Sequence, residues 1–434
     1  MRFLFAITSE DSHFYSMPPL AWSLMSSGHE VQVASQPELE KSVTKAGLTC
    51  VPIGRDHKMW SFIERGVGDS RKKTETHSKI FEYADCPEEE ATWDVLRSGF
   101  ESIVPWGFRF VNDPMIRPLV DYCRYWKPDM VVWEPSTFAG AIAAEACGAA
   151  HARITWGLDF HGRLRDRYLR LKAARPEGQR DDPLQEWLTR QAQRFGVPYS
   201  ERLVRGHFTI EQLPEAMSWN TGPDYLRMRY VPYNGQAVVP DWLWTEPERP
   251  RIALSLGRST LDRPFSHAVG FQDLLDALSG LECEIVATVP AGQQEELGKV
   301  PDNVRVVDFV PLLALLPTCS AVIHHGGFGS MGTALVNGVP QLILPEHFDA
   351  PAKARKLTEL GVALSIPAAR ATTENVRLAV SRLLNDPGFT DSAKALAEQS
   401  RALPSPADVV DELERRLVAH GAVHATGPSA PAPH

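Results

Sequence analysis

Several features that mark other protein classes are missing from this chain of 434 residues. Its six cysteines include no Cys-x-x-Cys pair, so we expect reduced thiols and no structural zinc. No apolar run approaches the roughly 20 residues that a membrane span needs. The formal net charge of -9, without Lys and Arg clustered among aromatic residues, argues against nucleic acid as a partner. No signal-like segment precedes the first predicted strand, and we expect a cytoplasmic protein.

The two commonest phosphate-binding loops are also missing. No Gly-Lys-Ser/Thr sequence ends a P-loop, and the first predicted strand, residues 2–8, is not followed by Gly-x-Gly-x-x-Gly. That strand leads instead into a loop that contains His13. Any phosphate site of this chain must therefore lie elsewhere.

What the chain does have is a glycine-rich turn between an apolar strand, residues 321–323, and a helix predicted to begin at Ser330. The turn consists of His324, His325, Gly326, Gly327, Phe328 and Gly329. Free backbone N–H groups and the positive end of a helix dipole favour an anion there, and a diphosphate fits best. A plain turn without ligand is the alternative, which paired histidines beside three glycines disfavour.

Length and the alternation of predicted strands and helices indicate two α/β domains. We predict an N-terminal domain over residues 1–238, with polar helical insertions at about 56–126 and 159–195. A C-terminal domain over residues 239–420 follows a proline-rich linker, and residues 421–434 form an Ala/Pro/Gly-rich tail that we predict to be disordered. Charge runs in the insertions are typical of solvated helix faces, although a binding role is the alternative.

In their order along the chain, these motifs resemble the GT-B glycosyltransferases that modify antibiotic aglycones. The resemblance spans nearly the whole chain, and its markers are His13, Gly28-His29-Glu30-Val31, Trp133-Glu134-Pro135, the glycine-rich turn, Gly338-Val339-Pro340-Gln341 and Asp349. A narrower similarity is to the activator-dependent transferases of TDP-deoxyaminosugars, the desosaminyl and rhodosaminyl group, through phrases such as Pro19-Leu20-Ala21-Trp22 and Pro240-Asp241-Trp242-Leu243. It implies two Rossmann-like doubly wound domains that face a central cleft.

His13 is the predicted general base. It follows the first strand, at the edge where doubly wound sheets bind ligands, imidazoles titrate near neutral pH, and the resemblance places the base of the family at this residue. A carboxylate often orients such a histidine. Asp11 and Asp113 are both candidates between which the sequence does not choose, and a solvated turn is an equal alternative for Asp11.

The resemblance also implies the donor-binding residues. His325 would contact the diphosphate, and backbone N–H groups of the turn would bind phosphate oxygens at Gly326, Gly327, Gly329 and Ser330. Gly257, Arg258 and Ser259 follow the first strand of the same domain and face the same cleft, although Arg258 is equally compatible with a plain surface residue. Backbone groups of Val310 would bind the thymine base, and Asp349, with Glu346, would contact the donor sugar.

The residue after Asp349 is Ala350, where transferases of ordinary hexoses often have Gln. Loss of that amide fits a donor with fewer hydroxyls. Together with this departure, the resemblance implies an inverting enzyme that transfers a deoxysugar from a TDP-sugar to a hydroxyl of a polyketide aglycone. A nucleotide-sugar epimerase of the same fold, or a non-catalytic scaffold, is the alternative.

We expect no cofactor and no metal, because the helix dipole and His325 replace a divalent cation and no Asp-x-Asp pair lies beside the diphosphate site. The narrower resemblance implies an auxiliary activator protein related to the haem-thiolate monooxygenases (the cytochrome P450 type), which would bind the insertions. A larger acceptor pocket is the alternative role of those insertions, and a homodimer is compatible with the sequence.

Overall fold

The computed structural model describes residues 1–65, 79–219, 224–257, 270–346 and 348–421. Two parallel sheets organise these residues, one of seven strands and one of six. The strands are β1 Arg2–Ala6, β2 Glu30–Ser35, β3 Thr49–Pro52, β4 Met130–Trp133, β5 Ala150–Ile154, β6 Phe208–Glu211, β7 Tyr225–Arg227, β8 Arg251–Ser255, β9 Glu284–Thr288, β10 Val304–Val307, β11 Ala321–His324, β12 Gln341–Ile343 and β13 Ala363–Ser365.

Helices connect successive strands of each sheet. They are α1 Asp11–Phe14, α2 Pro18–Ser26, α3 Glu40–Lys45, α4 Met59–Glu64, α5 Trp93–Ile103, α6 Arg109–Trp126, α7 Phe138–Cys147, α8 Phe160–Ala173, α9 Pro183–Gln193, α10 Arg202–Arg205, α11 Phe271–Leu278, α12 Ala291–Gln294, α13 Leu312–Leu315, α14 Phe328–Asn337, α15 Ala350–Glu359, α16 Thr373–Asn385, α17 Pro387–Arg401 and α18 Pro406–His420. None of these helices is long and apolar enough to cross a membrane.

Both sheets are doubly wound. The strand order is β3-β2-β1-β4-β5-β6-β7 in the first sheet and β10-β9-β8-β11-β12-β13 in the second. Every residue of β4 is buried, as expected when helices cover both faces of a parallel sheet. The order reverses between β1 and β4 and between β8 and β11, so ligands are expected at the carboxyl ends of these strands. The predicted pair of doubly wound domains is confirmed.

The last helix returns to the first domain. Val409 and Leu413 of α18 are buried in the same hydrophobic cluster as Phe3 and Leu20. His29 Nε2 lies 2.8 Å from a carboxylate oxygen of Glu414, which adds a polar contact to this packing. The predicted boundary near residue 238 lies between β7 and β8.

Some local predictions need correction. The helix after the glycine-rich turn begins at Phe328, two residues before the predicted Ser330, because Gly327 already has the extended backbone of an N-cap. Strands β6, β7 and β13 are not among the strands predicted from the sequence. Helices α5 and α6 lie in the first predicted insertion and α8 and α9 in the second. Residues 66–78 of the first insertion and 422–434 of the predicted tail lie outside the described residues.

Candidate active site

His13 lies on α1, directly after the carboxyl end of β1. The neighbouring Phe14 is fully buried and anchors this short helix to the core. The His13 side chain remains 19% exposed, so part of the imidazole can be reached from solvent. The structure therefore places the predicted base at the sheet edge where a ligand is expected.

The carboxylate beside His13 is Glu134. One of its oxygens lies 3.5 Å from His13 Nδ1, an ion-pair distance, and the Glu134 side chain is fully buried. Ser136 donates to this carboxylate from its backbone N–H at 3.0 Å and from its hydroxyl at 2.6 Å, and the Thr137 hydroxyl also donates to it. Burial raises the pKa of Glu134, but the hydrogen bonds from Ser136 and Thr137 and the interaction with His13 lower it by more. The resulting pKa lies well below the usual value for a glutamate. Glu134 is thus a buried anion that can stabilise a protonated His13.

Trp156 completes this arrangement. Its ring stacks on the His13 imidazole, with centroids 3.9 Å apart and planes 17° from parallel. Its indole Nε1 donates to Glu134 at 3.1 Å. Trp156 follows β5, which pairs with β4, so three adjacent strands supply His13, Glu134 and Trp156. Together they hold the imidazole in one orientation.

The prediction that Asp11 or Asp113 orients His13 is wrong. Asp113 accepts hydrogen bonds from Trp187 at 3.0 Å and Gln191 at 3.1 Å, so its carboxylate joins α6 to α9. Asp11 is exposed in the first turn of α1. Glu134 could have been found, because it directly follows a fully buried strand that pairs with β1, and the carboxyl ends of such strands meet.

The glycine-rich turn joins β11 to α14 in the second domain. Gly326 has φ +95, which glycine adopts without strain. Gly329 and Ser330 lie in the first turn of α14, whose N–H groups have no acceptor within the helix. The predicted N–H donor at Gly326 needs correction, because the N–H group of this residue donates to His324. Gly327, Gly329 and Ser330 lie at the helix start as expected, and the binding of an anion there stays a prediction.

The two histidines of the turn differ in role. His324 is fully buried, its Nδ1 accepts from the Gly326 N–H at 3.0 Å, and its Nε2 lies 2.8 Å from the Gln341 side-chain oxygen. Burial lowers the pKa of His324 to about 4, so it is a neutral brace for the turn. The His325 ring instead lies between two glycines: methyl groups placed at Gly257 and Gly327 would come within 2.3 and 2.5 Å of it.

The remaining predicted donor residues that the structure describes belong to the second domain. Val310 is buried in a cluster with Val286 and Val322, so only its backbone can meet a base. Glu346 and Asp349 lie in the segment between β12 and α15. Arg258 and Ser259 lie outside the described residues, and their predicted phosphate contact stays a prediction.

The two halves of the site approach each other at Gly157. A methyl group placed at Gly157 would lie 3.7 Å from Oδ2 of Asp349 and 3.9 Å from the Phe328 ring. Trp156, which stacks on His13, directly precedes Gly157, which lies close to Asp349. One short segment therefore contacts both the predicted base and the predicted sugar-binding residue. This geometry suits a reaction between groups bound to different domains.

Comparisons with known proteins agree with this geometry. The family models described as "Erythromycin biosynthesis protein CIII-like", N-terminal and C-terminal domain, match residues 22–257 and 272–416. The chain is 44% identical to the 10-deoxymethynolide desosaminyltransferase of Streptomyces venezuelae, covering 97% of this chain and 98% of that protein. It is 41% identical to the aklavinone 7-beta-L-rhodosaminyltransferase of Streptomyces galilaeus, covering 100% and 99%.

The crystal structure of the glycosyltransferase VinC in complex with dTDP superposes with a TM-score of 0.86 at 37% identity, covering 96% of this chain and 100% of that one. The two doubly wound domains are accordingly a GT-B fold, and the chain is an enzyme of the transferase class. It belongs to the erythromycin biosynthesis protein CIII-like family of glycosyltransferases.

Proposed function

We propose that this enzyme transfers a deoxysugar from a TDP-sugar to a hydroxyl group of a polyketide aglycone, with inversion at the anomeric carbon. The single observation that best supports this is that the segment stacked on the His13 imidazole continues into Gly157, which lies close to Phe328 at the start of α14 in the second domain. Relatives named for desosaminyl and rhodosaminyl transfer support the donor and acceptor classes.

In this proposal His13 removes the proton of the acceptor hydroxyl as its oxygen attacks the anomeric carbon. Glu134 stabilises the imidazolium that forms, and Trp156 holds the ring in place. The leaving diphosphate gains hydrogen bonds from the first turn of α14 and from His325. Attack and departure on opposite faces of the sugar, in a single displacement, give inversion.

We propose that no metal is needed, because the α14 helix start and His325 stabilise the diphosphate. The test is to measure turnover with and without a chelator of divalent cations. Equal rates are expected, and a rate restored only by added Mg²⁺ would contradict the proposal.

The test of the donor site uses His325→Ala. Loss of a charge-assisted hydrogen bond should weaken TDP binding by about 1–3 kcal/mol in calorimetric titration. Ser259→Ala, at a residue outside the described ones, tests the second predicted phosphate contact in the same way. Unchanged TDP affinity in His325→Ala would rule out this residue as the diphosphate contact.

The test of the reaction is mass spectrometry of products from TDP-deoxysugars and a panel that includes 10-deoxymethynolide and aklavinone. Ala350, which leaves no amide beside Asp349, leads us to expect TDP-deoxysugars to compete successfully against TDP-glucose. A preference for TDP-glucose would contradict the donor assignment. Sugar released from TDP without any acceptor would support the epimerase alternative instead.

We also propose that an auxiliary protein related to cytochrome P450 binds the first insertion and activates the enzyme. The insertion contacts the second domain: the Phe81 ring lies 6.2 Å from Phe348, and Asp85 lies 2.6 Å from Arg355. A partner that ordered this segment would therefore also act on the residues around Asp349. Through these two contacts, the first insertion can influence the donor site.

The activation proposal is tested by turnover of the purified chain with and without the auxiliary protein. We expect turnover to increase when the auxiliary protein is added. This increase should be smaller in Asp85→Asn, which removes the charge that pairs with Arg355. Full turnover of the chain alone would leave a larger acceptor pocket as the role of the insertion. Light scattering measures the mass of the purified chain and therefore distinguishes a homodimer from a monomer that awaits the auxiliary protein.

A further inference from the structure

A buried lysine lies behind the predicted sugar-contacting aspartate. Lys353 Nζ is 2.7 Å from Oδ2 of Asp349, and the lysine side chain is 2% exposed whereas the aspartate is 17% exposed. Asp349 is the N-cap of α15 and Lys353 lies one turn later, so the helix itself holds the ammonium against the carboxylate. Only the aspartate of this pair can be reached from the cleft.

The surroundings of Lys353 are apolar. Its neighbours on α15, Ala352, Ala354 and Leu357, are buried in one cluster with Phe328 of the glycine-rich turn. A buried ammonium is costly unless it is paired. Among the described residues, Asp349 is the carboxylate that lies within ion-pair distance of Lys353. The lysine therefore has one evident function, which is to act on Asp349.

The pair also lies close to the predicted diphosphate site. Ala350, next to Asp349, would be 2.9 Å from a methyl group placed at Gly326. Burial lowers the pKa of His324, and the positive charge of Lys353 lowers it further, so the field of the lysine reaches this turn. Without Lys353, the Asp349 carboxylate would place a negative charge beside a diphosphate.

We propose that Lys353 is a positioning residue that compensates the charge of Asp349, so that Asp349 accepts a hydrogen bond from a hydroxyl of the donor sugar and does not form an ion pair with an amino group of that sugar. This inference rests on the donor site of the proposed function. A carboxylate already paired at 2.7 Å gains little from a second cation, but its other lone pairs still accept from a hydroxyl.

The experiment compares Lys353→Met, which removes the charge at similar length, with Lys353→Arg, which keeps it. Calorimetry measures the binding of TDP, of TDP-6-deoxyglucose and of its matched amino analogue, TDP-3-amino-3,6-dideoxyglucose. In Lys353→Met we expect weaker binding of TDP and of both donors, because Asp349 then places an uncompensated negative charge near the diphosphate. We also expect a shift of roughly tenfold in donor preference towards the amino sugar, because Asp349 becomes an unpaired anion. Lys353→Arg should keep the wild-type preference.

An unchanged donor preference in Lys353→Met, with TDP affinity retained, would overturn the proposal. A loss of TDP affinity without any change in donor preference would also overturn it, since Lys353 would then be a brace for the glycine-rich turn. A wild-type chain that bound no TDP would instead refute the proposed function, and the inference with it. The gain in preference for a cationic donor is an outcome that a purely structural role of Lys353 would not produce.

Discussion

The first domain contains two histidine–carboxylate pairs at opposite edges of the same sheet. His13 and Glu134 lie at the carboxyl ends of β1 and β4, with the contacting atoms 3.5 Å apart. His151 lies near the start of β5, and its Nε2 is 3.2 Å from Glu145 on α7. The chemical groups are alike, so their different surroundings show what makes one of them a candidate base.

The difference is in the use of the ring nitrogens. Trp133 Nε1 donates to His151 Nδ1 at 3.1 Å, so Nε2 carries the proton and donates to Glu145. The His151 side chain is fully buried, whereas His13 is partly exposed and stacked on Trp156. A histidine with both nitrogens engaged in the core cannot accept a proton from a substrate.

The engaged nitrogens of His151 also argue against a metal site around this residue. The ligand atoms of Glu145, His151 and His207 lie within 4.8 Å of one another, as in many metal clusters. Coordination needs a free lone pair on each ligand, and the Nδ1 lone pair of His151 already accepts from Trp133. Glu145 also pairs with Arg202 at 3.2 Å. We therefore interpret this cluster as a hydrogen-bonded connection between α7, β5 and the start of β6.

The largest effect is expected for His13→Ala. Turnover should fall by roughly two to four orders of magnitude, the usual contribution of a positioned base, while TDP affinity stays near the wild-type value. Turnover is measured by product formation under saturating donor, and TDP affinity by calorimetry. Near-normal turnover in His13→Ala would show that His13 is no more a catalytic base than His151 is.

A smaller loss, of roughly a hundredfold in turnover, is expected for Glu134→Gln, because glutamine keeps much of the hydrogen-bond network but cannot stabilise an imidazolium. The matched control is Asp113→Asn. Asp113 is engaged by Trp187 and Gln191, so turnover of this variant should stay close to the wild type. Equal losses in both variants would argue against Glu134 as the partner of His13.

His151→Ala should affect stability and not chemistry. Trp133 Nε1 and Glu145 would lose their partner in the core, at a cost of about 2–3 kcal/mol in the free energy of unfolding. Urea denaturation measures that cost, and turnover is measured at a temperature well below the midpoint. A turnover loss as large as that of His13→Ala would contradict the comparison.

The last prediction, and the one with the smallest effect on turnover, is a pH dependence of stability. Burial lowers the pKa of His207 to about 4, and that of His161 to about 4. Between that value and the unfolded value near 6.5, the unfolded chain binds more protons, so stability falls as the pH falls through this window. The contribution of His161 is up to about 1.4 kcal/mol per pH unit, and that of His207, which is only partly buried, is smaller.

Thermal unfolding at pH 7.5 and pH 5 measures this dependence. His207→Asn, which has no titrating group, should reduce the slope relative to the wild type. A slope that stayed the same in His207→Asn would contradict the prediction for His207.

The sequence alone was informative where function depends on short local motifs. The two α/β domains follow from strand–helix alternation, and the glycine-rich turn follows from residues adjacent in the chain. His13 was identified by its place after the first strand, and His325 by its place in the glycine-rich turn. In each case neighbours in the sequence supply the geometry.

The tertiary structure decided which distant side chains meet. Glu134 lies 121 positions after His13 in the chain, and only the pairing of β1 with β4 brings the two together, whereas Asp11, two positions away, points to solvent. Trp156 reaches His13 because β5 pairs with β4, and Gly157 reaches Asp349 only because the domains pack together. Side-chain partners across a sheet or a cleft are set by strand order and domain packing, which no local pattern of residues encodes.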